Sequence, residues 1–221
     1  MTRHKLLLPI TALFASTLLI SNTLDTKIFA LGGLELPAGI ILFPLAYVFG
    51  DILTEVYGYA TSRRTIWTGF ACLILMVVFY EIARALPPSP SWPGQPAFDS
   101  VFSHVPRIVL ASIIAYLCGE FVNSFVVAKF KVLQNGKHMA LRFVASTIAG
   151  QAIDTTLFVL VAFWGVLPTS VLLSIILSGW AVKVGWEIIA LPLTIFVVRQ
   201  IKRIEQEDVY DRDISFSPFK L

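Results

Sequence analysis

Residues 43–59 read FPLAYVFGDILTEVYGY, a segment apolar enough to lie in a membrane that nevertheless contains two carboxylates, Asp51 and Glu55, about one helical turn apart. A charged side chain at bilayer depth costs at least ~2.5 kcal/mol even on permissive insertion scales, so such a residue usually faces a cavity or a polar partner. The segment therefore predicts a membrane protein with a site for a polar cargo or for a proton.

The overall composition agrees with a membrane protein and excludes several other classes. The 221 residues are 57% hydrophobic and 14% charged, against roughly 45–50% and 25% in soluble domains. The net charge is only +3 and no basic tract occurs, so we expect no nucleic-acid partner. Cys72 and Cys118 both lie in apolar runs and offer neither a disulfide framework nor a metal cluster. We expect no metal and no cofactor.

The hydrophobic pattern predicts an all-α fold, a polytopic bundle of six transmembrane helices. A span needs about 20 largely apolar residues, and six segments have that length: Leu6–Leu24, Ala38–Tyr59, Thr65–Leu86, Val105–Val127, Ala140–Gly165 and Thr169–Val198. Residues 1–203 thus form one domain embedded in the lipid bilayer, and residues 204–221 are expected to be a solvated cytoplasmic tail. The proline-rich connection at residues 87–96 is expected to be extended.

Basic residues are distributed unevenly between the two ends of the predicted bundle. One end holds Arg3, Lys5, Arg63, Arg64, Lys129, Lys131, Lys137, Arg142, Arg199, Lys202 and Arg203, and the other holds little more than Lys27, Arg84 and Arg107. Because basic loops stay in the cytoplasm, both termini are predicted to be cytoplasmic.

Ionisable groups occur at similar depth in four of the predicted helices. Five acids, Asp51, Glu55, Glu120, Asp154 and Glu187, face one base, Lys183. One interpretation is a structural ion-pair network. The other is a binding site, because unpaired buried acids must be protonated, contact water, or meet a cationic or donor-rich ligand. Such a cargo would be small and planar or compact. The candidates for the apolar wall of its pocket are Phe43, Tyr47, Phe49, Trp180 and Trp186.

A short pattern recurs three times: glycine followed by a polar pair, at Gly50-Asp51 with Glu55, Gly119-Glu120 with Asn123, and Gly150-Gln151 with Asp154. The spacing places the polar residues of each pair on one helix face. An inverted repeat of three plus three helices, with a site at its interface, is one hypothesis for this pattern.

Enzymatic functions have little support in the sequence. The three histidines lie in termini or connections, so no serine–histidine dyad or histidine-ligated zinc site is expected within the membrane. Asp51 and Asp154 leave open an intramembrane aspartyl protease, although the Gly-x-Gly-Asp pattern is missing. No phosphate-binding Gly-x-x-x-x-Gly-Lys-[Ser/Thr] loop occurs. We expect no enzyme activity and no catalytic residues.

Several of these motifs resemble the queuosine precursor transporter family, also called the vitamin uptake transporter family. The resemblance rests on residues 43–59, on Arg63-Arg64 with Ile66-Trp67, and on Leu141-Arg142, Ser146-Thr147, Gln151, Asp154-Thr155 and Phe158, and it extends to Asn22, Lys27 and Lys183. It implies import of 7-cyano- and 7-aminomethyl-7-deazaguanine across a bacterial inner membrane for queuosine modification of tRNA.

The resemblance, together with the polar layer, gives each site residue an expected role. The residues expected to bind the small heterocyclic substrate are Asn22, Phe43, Tyr47, Asp51, Gln151, Asp154 and Lys183. Asp51 or Asp154 would read the donor edge of the base and Gln151 its O6 side. The residues expected to carry the coupling proton or to form a gate are Glu55, Glu120 and Glu187.

The energy source and the assembly stay open at this stage. Proton coupling by the surplus acids is the first hypothesis. The chain is also similar in size and helix number to substrate-binding subunits of energy-coupling-factor vitamin importers, which depend on separate ATPases. Small residues on helix faces would permit a homodimer.

Overall fold

The computed structural model describes residues 4–31, 34–165, 168–211, 214–215, 217 and 219. Its α-helices are α1 (Leu7–Leu24), α2 (Phe43–Tyr57), α3 (Tyr59–Ala85), α4 (Gln95–Phe102), α5 (Val105–Leu133), α6 (Met139–Phe163) and α7 (Thr169–Glu205). Two short strands, β1 (Ile28–Leu31) and β2 (Leu34–Pro37), pair antiparallel, and a 3₁₀ turn follows over Ala38–Ile41. The prediction of an all-α polytopic membrane bundle is confirmed, with this small hairpin as an addition.

Among the described residues, five helical segments are long and apolar enough to cross a membrane: Leu7–Leu24, Tyr59–Ala85, Gln95–Leu133, Met139–Phe163 and Thr169–Glu205. The predicted second span differs. Its first residues form the 3₁₀ turn, so α2 contains only 15 residues. Pro44 lies in the first turn of α2, where its missing N–H leaves no helical hydrogen bond broken. It therefore starts the helix rather than kinking it.

The boundary between α2 and α3 also differs from the prediction. A single residue, Gly58, separates the two helices, and α3 begins at Tyr59 rather than at Thr65. The φ angle of Gly58 is +82°, a value that glycine adopts at little cost and other residues rarely adopt. Further along, the expected extended connection ends early, because Gln95 and Pro96 begin α4.

The helices pack around a core in which α2 is central. Every residue from Gly50 to Tyr59 is buried, whereas α3 and α7 each expose large apolar side chains such as Phe79 and Ile189. A helix buried on all sides lies within the bundle, and an exposed apolar face suits contact with lipid. The carboxylates of α2 are thus inside the protein.

The start of α1 and the end of α7 meet at one end of the bundle, which we call the inner end. The backbone N–H groups of Lys5 and Leu6 donate hydrogen bonds to the Glu205 carboxylate at the end of α7. The opposite end, near the start of α2, is called the outer end. The cytoplasmic orientation of the inner end stays a prediction, and Arg3, which contributed to it, lies outside the described residues.

The described part of the tail packs against the inner end instead of extending into solvent. Val209 N–H donates to the carbonyl of Val56 at 3.2 Å, and the Asp211 carboxylate accepts from Tyr59 N–H at 2.9 Å. Asp211 is buried. This arrangement differs from the solvated tail expected from the sequence.

Candidate functional site

A cavity of about 300 Å³ lies at the outer end, between α1, the 3₁₀ turn, α2, α5, α6 and α7. Its wall is mostly apolar and includes Leu18, Leu73 and Phe158. The polar and aromatic residues in the wall are Ser21, Asn22, Asp25, Phe43, Tyr47, Ser112, Tyr116, Asp154, Thr155, Phe158, Phe163, Ser178 and Lys183. A largely apolar cavity with a few polar groups is the usual form of a small-molecule site.

An ion pair beside an aromatic surface is the main feature of this wall. Lys183 Nζ donates to the Asp154 Oδ2 atom at 2.8 Å, and both side chains keep partial access to the cavity. The same ammonium lies 4.8 Å from the ring centre of Phe43. The ring centres of Phe43 and Tyr47 are 4.6 Å apart. The pair can offer a donor and an acceptor to one ligand, and the rings offer a stacking face.

Several polar atoms around the cavity have no hydrogen-bond partner among the described residues. They are Asn22 Oδ1, Tyr47 OH, Tyr116 OH and Thr155 Oγ1. Asn22 Nδ2 is satisfied, because it donates to the Leu18 carbonyl at 2.9 Å. Buried polar atoms are nearly always paired with protein, water or ligand. Unpaired atoms on a cavity wall are therefore available to a bound polar molecule.

Asp25 belongs to this wall and was missed in the sequence analysis. Its Oδ1 atom accepts a hydrogen bond from Gly39 N–H at 2.9 Å, and Ser21 Oγ donates to the Gly39 carbonyl at 3.1 Å. Burial raises the pKa of Asp25 from 3.8 to about 6, although the Gly39 hydrogen bond and Lys183 oppose the increase. Asp25 follows Asn22 by three residues and so lies on the same helix face, and this spacing could have identified it as a site residue.

A second group of acids lies deeper and, in the described structure, apart from the cavity wall. Asp51, one helical turn beyond Tyr47, accepts from Asn123 Nδ2 at 3.4 Å. Glu120 accepts from Ser124 Oγ at 3.3 Å, and the Glu187 carboxyl lies within hydrogen-bonding reach of Asp51. Gln151 is fully buried as well, and neither polar atom of its amide has a partner in the described part of the chain.

Glu55 occupies a third location, near the inner end, and is surrounded by bases. Arg142 donates to its two carboxylate oxygens at 2.9 and 2.6 Å, and Lys202 donates to it at 2.6 Å. Lys131 lies 3.8 Å away and donates to the Asp208 carboxylate of the tail at 2.6 Å. We call Glu55, Lys131, Arg142, Lys202 and Asp208 the inner ion-pair cluster.

The structure thus separates the predicted site residues into three groups. Asn22, Phe43, Tyr47, Asp154 and Lys183 line the cavity. Asp51, Glu120 and Glu187 form a deeper acid group, with Gln151 also buried away from the wall. Glu55 lies in the inner ion-pair cluster. The three bases of that cluster were assigned in the sequence analysis only to the cytoplasmic surface.

The repeated glycines of the sequence lie where helices approach closely. A Cβ atom at Gly119 would meet Asp154 Cβ at 2.6 Å and the Gly150 carbonyl at 2.9 Å, and one at Gly50 would collide with the Glu120 carboxylate. The absence of side chains at these positions lets α2, α5 and α6 bring their polar residues together. The recurrence of the pattern thus has a packing explanation.

A multi-pass bundle with a largely apolar cavity among its helices, in which a few polar groups are exposed, is typical of a small-molecule membrane transporter. Comparison with known families agrees: residues 37–197 match the family model described as "Putative vitamin uptake transporter". The chain belongs to this family. It is therefore a transporter rather than an enzyme, and a multi-pass protein of the bacterial inner membrane, as predicted.

Two curated bacterial proteins are similar to this chain. The "Probable queuosine precursor transporter" of Bacillus subtilis is 27% identical over 84% of this chain and 82% of that protein. The "Queuosine precursor transporter" of Escherichia coli is 30% identical over 57% of this chain and 54% of its own length. No solved structure matches the chain.

The protease alternative is wrong on two grounds. The family consists of transporters. In addition, Asp154 pairs with Lys183, whereas Asp51 contacts Asn123 and Glu187. A dyad of aspartates that share one proton would require them to face each other.

Proposed function

We propose that this chain imports queuosine precursors, 7-cyano-7-deazaguanine and 7-aminomethyl-7-deazaguanine, through the outer cavity. The names of its two relatives, both queuosine precursor transporters, support the cargo class. The observation that carries the proposal is the Lys183–Asp154 pair beside the Phe43 ring in a cavity of about 300 Å³. A planar, guanine-like base has an edge with N–H donors and a carbonyl acceptor, and it has a face that can stack.

The proposed roles follow from the positions of the cavity residues. Asp154 accepts from the N1–H and 2-amino edge, and Lys183 donates to O6. Phe43 and Tyr47 cover one face of the base, and Asn22 offers its free carbonyl oxygen to a remaining donor. Asp51 and Gln151 are given no direct contact with the cargo, in contrast to the expectation from the sequence, because they lie away from the described cavity wall.

We propose that uptake is driven by the proton gradient, and that Glu55 belongs to the gate at the inner end. Glu55 is in contact with three bases that join several parts of the chain. Because these ion pairs connect helices at the inner end, they suit a closed gate better than a proton carrier. A protonophore should therefore abolish accumulation while ATP is kept constant. Insensitivity to the protonophore would favour the substrate-binding subunit of an ATPase-dependent importer.

The experiment that tests the cargo is uptake into cells that cannot synthesise the precursors, with queuosine in tRNA as the readout. Wild-type protein should restore queuosine from external 7-cyano-7-deazaguanine, and Asp154→Asn should reduce the initial rate at least tenfold, ~1.4 kcal/mol of lost interaction. Asp99→Asn is the matched control, because Asp99 pairs with Arg84 at the protein surface. Equal rates for the wild type and Asp154→Asn would contradict the proposed site.

A further inference from the structure

Three acids from three helices meet in the centre of the bundle. Asp51 of α2, Glu120 of α5 and Glu187 of α7 are buried, and they interact with one another electrostatically. The amide of Asn123 lies among them, with its nitrogen 3.4 Å from Asp51 Oδ1. We call these four residues the central acid cluster.

Each member of the cluster has an oxygen without a hydrogen-bond partner in the part of the chain that the structure describes. These atoms are Asp51 Oδ2, Glu120 Oε2, Asn123 Oδ1 and Glu187 Oε1. The Asn123 oxygen is an independent indication, because a neutral amide in a finished structural network would be satisfied at both ends. Within these four residues, four acceptor oxygens lack a partner and no N–H donor does, which suits a positive species.

The surroundings do not supply that positive charge. Asp51 and Glu120 are also influenced by Glu55 and Asp154, which are further acids, while the hydroxyls of Tyr47 and Tyr116 approach from the cavity side. Lys183 is already paired with Asp154, and Arg142 and Lys202 are paired with Glu55. Buried negative charge without a partner is strongly unfavourable, so the cluster must take up a cation or protons.

The geometry favours a proton over a metal ion. The Asp51 and Glu187 carboxyls lie within hydrogen-bonding reach of each other, and a direct hydrogen bond between two carboxyls requires a proton on one of them. Among the described residues, no three His, Cys, Asp or Glu side chains are arranged to hold a metal ion. Tyr116 lies one turn before Glu120 on α5 and also lines the cavity. The central acid cluster therefore lies about one helical turn from the cavity wall.

We propose that the central acid cluster binds the coupling proton, at a site separate from the cargo cavity, and that Asp51 belongs to this proton site. The inference rests on the proposed function, because it assigns the proton that would drive import. A proton enters from the outer cavity and forms one O–H bond with a carboxylate of the cluster. That bond breaks when the inner end opens, and the proton passes to water on that side.

The test uses purified full-length protein in proteoliposomes with radiolabelled 7-cyano-7-deazaguanine. Two transport modes are measured: counterflow, which needs no gradient, and accumulation driven by an inward pH gradient of one unit. For one proton per cargo, that gradient supports about tenfold accumulation. Glu187→Gln and Asp51→Asn mimic the protonated carboxyl, so both should keep counterflow within about twofold and lose the gradient-driven accumulation.

Control variants separate failure of this inference from failure of the proposed function. Asp154→Asn should lose both transport modes, and Glu81→Gln, at an exposed ion pair with Arg84, should lose neither. If the wild type shows no counterflow of the cargo, the proposed function is wrong. If the wild type transports and both cluster variants still accumulate cargo fully, the proton site is wrong.

Proton exchange on cargo binding can be measured directly on the wild-type protein, so this test does not depend on whether the transport variants fold. Cargo added to weakly buffered wild-type protein in detergent should change the pH of the solution, and Glu120→Gln should reduce that proton exchange by about one third, because one of three proton-binding carboxyls is removed. No proton exchange in the wild type would overturn the proposal. So would accumulation driven by an imposed sodium gradient at equal pH, because the coupling ion would then be sodium.

Discussion

The outer and inner ends of this bundle use the same types of charged side chain in opposite ways. At the outer end, Lys183 and Asp154 form a single pair with side chains 16% and 12% exposed, next to unpaired polar atoms and a cavity. At the inner end, the side chains of Glu55 and Arg142 are both 0% exposed, and the tail adds Asp208. One end can receive a polar molecule, whereas the other is closed by interactions that are already satisfied.

This difference indicates what each charge contributes. Removing one partner of a fully buried ion pair leaves an uncompensated charge, which costs about 3–5 kcal/mol, whereas pairs with access to water contribute less. Substitutions at the inner end should therefore act mainly on stability, and those at the outer end mainly on transport.

The largest effect is expected for Arg142→Met. The variant leaves Glu55 buried with only its lysine partners, so we expect a loss of about 3–5 kcal/mol and a strongly reduced yield of folded protein. Thermal unfolding in detergent, followed by size-exclusion chromatography, measures the change. Arg107→Met, at an exposed arginine, is the control and should unfold like the wild type. The double variant Arg142→Met, Glu55→Gln should lose less stability than the two single losses added together, because both substitutions break the same ion pair. Additive losses would show that this pair is not the cause.

Lys183→Met tests the opposite end. Because its pair has access to the cavity, we expect a stability change of less than about 1 kcal/mol, together with at least a tenfold loss of precursor uptake, ~1.4 kcal/mol. Uptake and thermal unfolding are measured on the same preparations. If Lys183→Met unfolds easily but transports at the wild-type rate per folded molecule, the outer-end pair contributes to stability rather than to transport, and the proposed difference between the two ends is wrong.

The pH dependence of Asp25 sharpens the description of the outer end. Because burial raises its pKa from 3.8 to about 6, the folded state holds a proton that the unfolded state releases. Stability should therefore fall as the pH rises from about 4 to about 6 and then level off. Asp25→Asn should remove this component of the melting-temperature profile. An unchanged profile in the variant would mean that another group is responsible.

The smallest effect is expected for Asp208→Asn in the tail. Burial tends to raise the pKa of Asp208, but hydrogen bonds from Lys131 and Lys202 hold it below its usual value. This stabilisation is present above pH 3.8 and disappears as the pH falls through the lower pKa of the folded state. Because the carboxylate is 44% exposed, we expect a loss of only about 0.5 kcal/mol at pH 7. Glu207→Gln is the neighbouring control for the unfolding measurement, and an equal loss in that variant would argue against a specific role of Asp208.

The sequence was sufficient for the class of fold and for much of the cavity. Apolar runs of span length predict the helices, and Asn22, Asp154 and Lys183 stand out as polar residues within them. The partners of Glu55 were not predictable in this way, because Lys131, Arg142 and Lys202 are separated from it by 76 or more positions and also fit the ordinary basic inner surface. The 3₁₀ turn was missed because residues 38–41 are apolar enough to continue the predicted second span. The hairpin lies in the connection before that span, for which no strand was predicted.

Gly58 gives the inner end a mechanical property. It joins α2 directly to α3, and a Cβ atom there would meet Val209 Cγ1 at 2.7 Å, so the tail rests against the joint itself. A one-residue joint has almost no slack. A tilt of α2 that separates Glu55 from its bases should therefore also move the start of α3. The same movement should displace the tail residues that pack against Gly58.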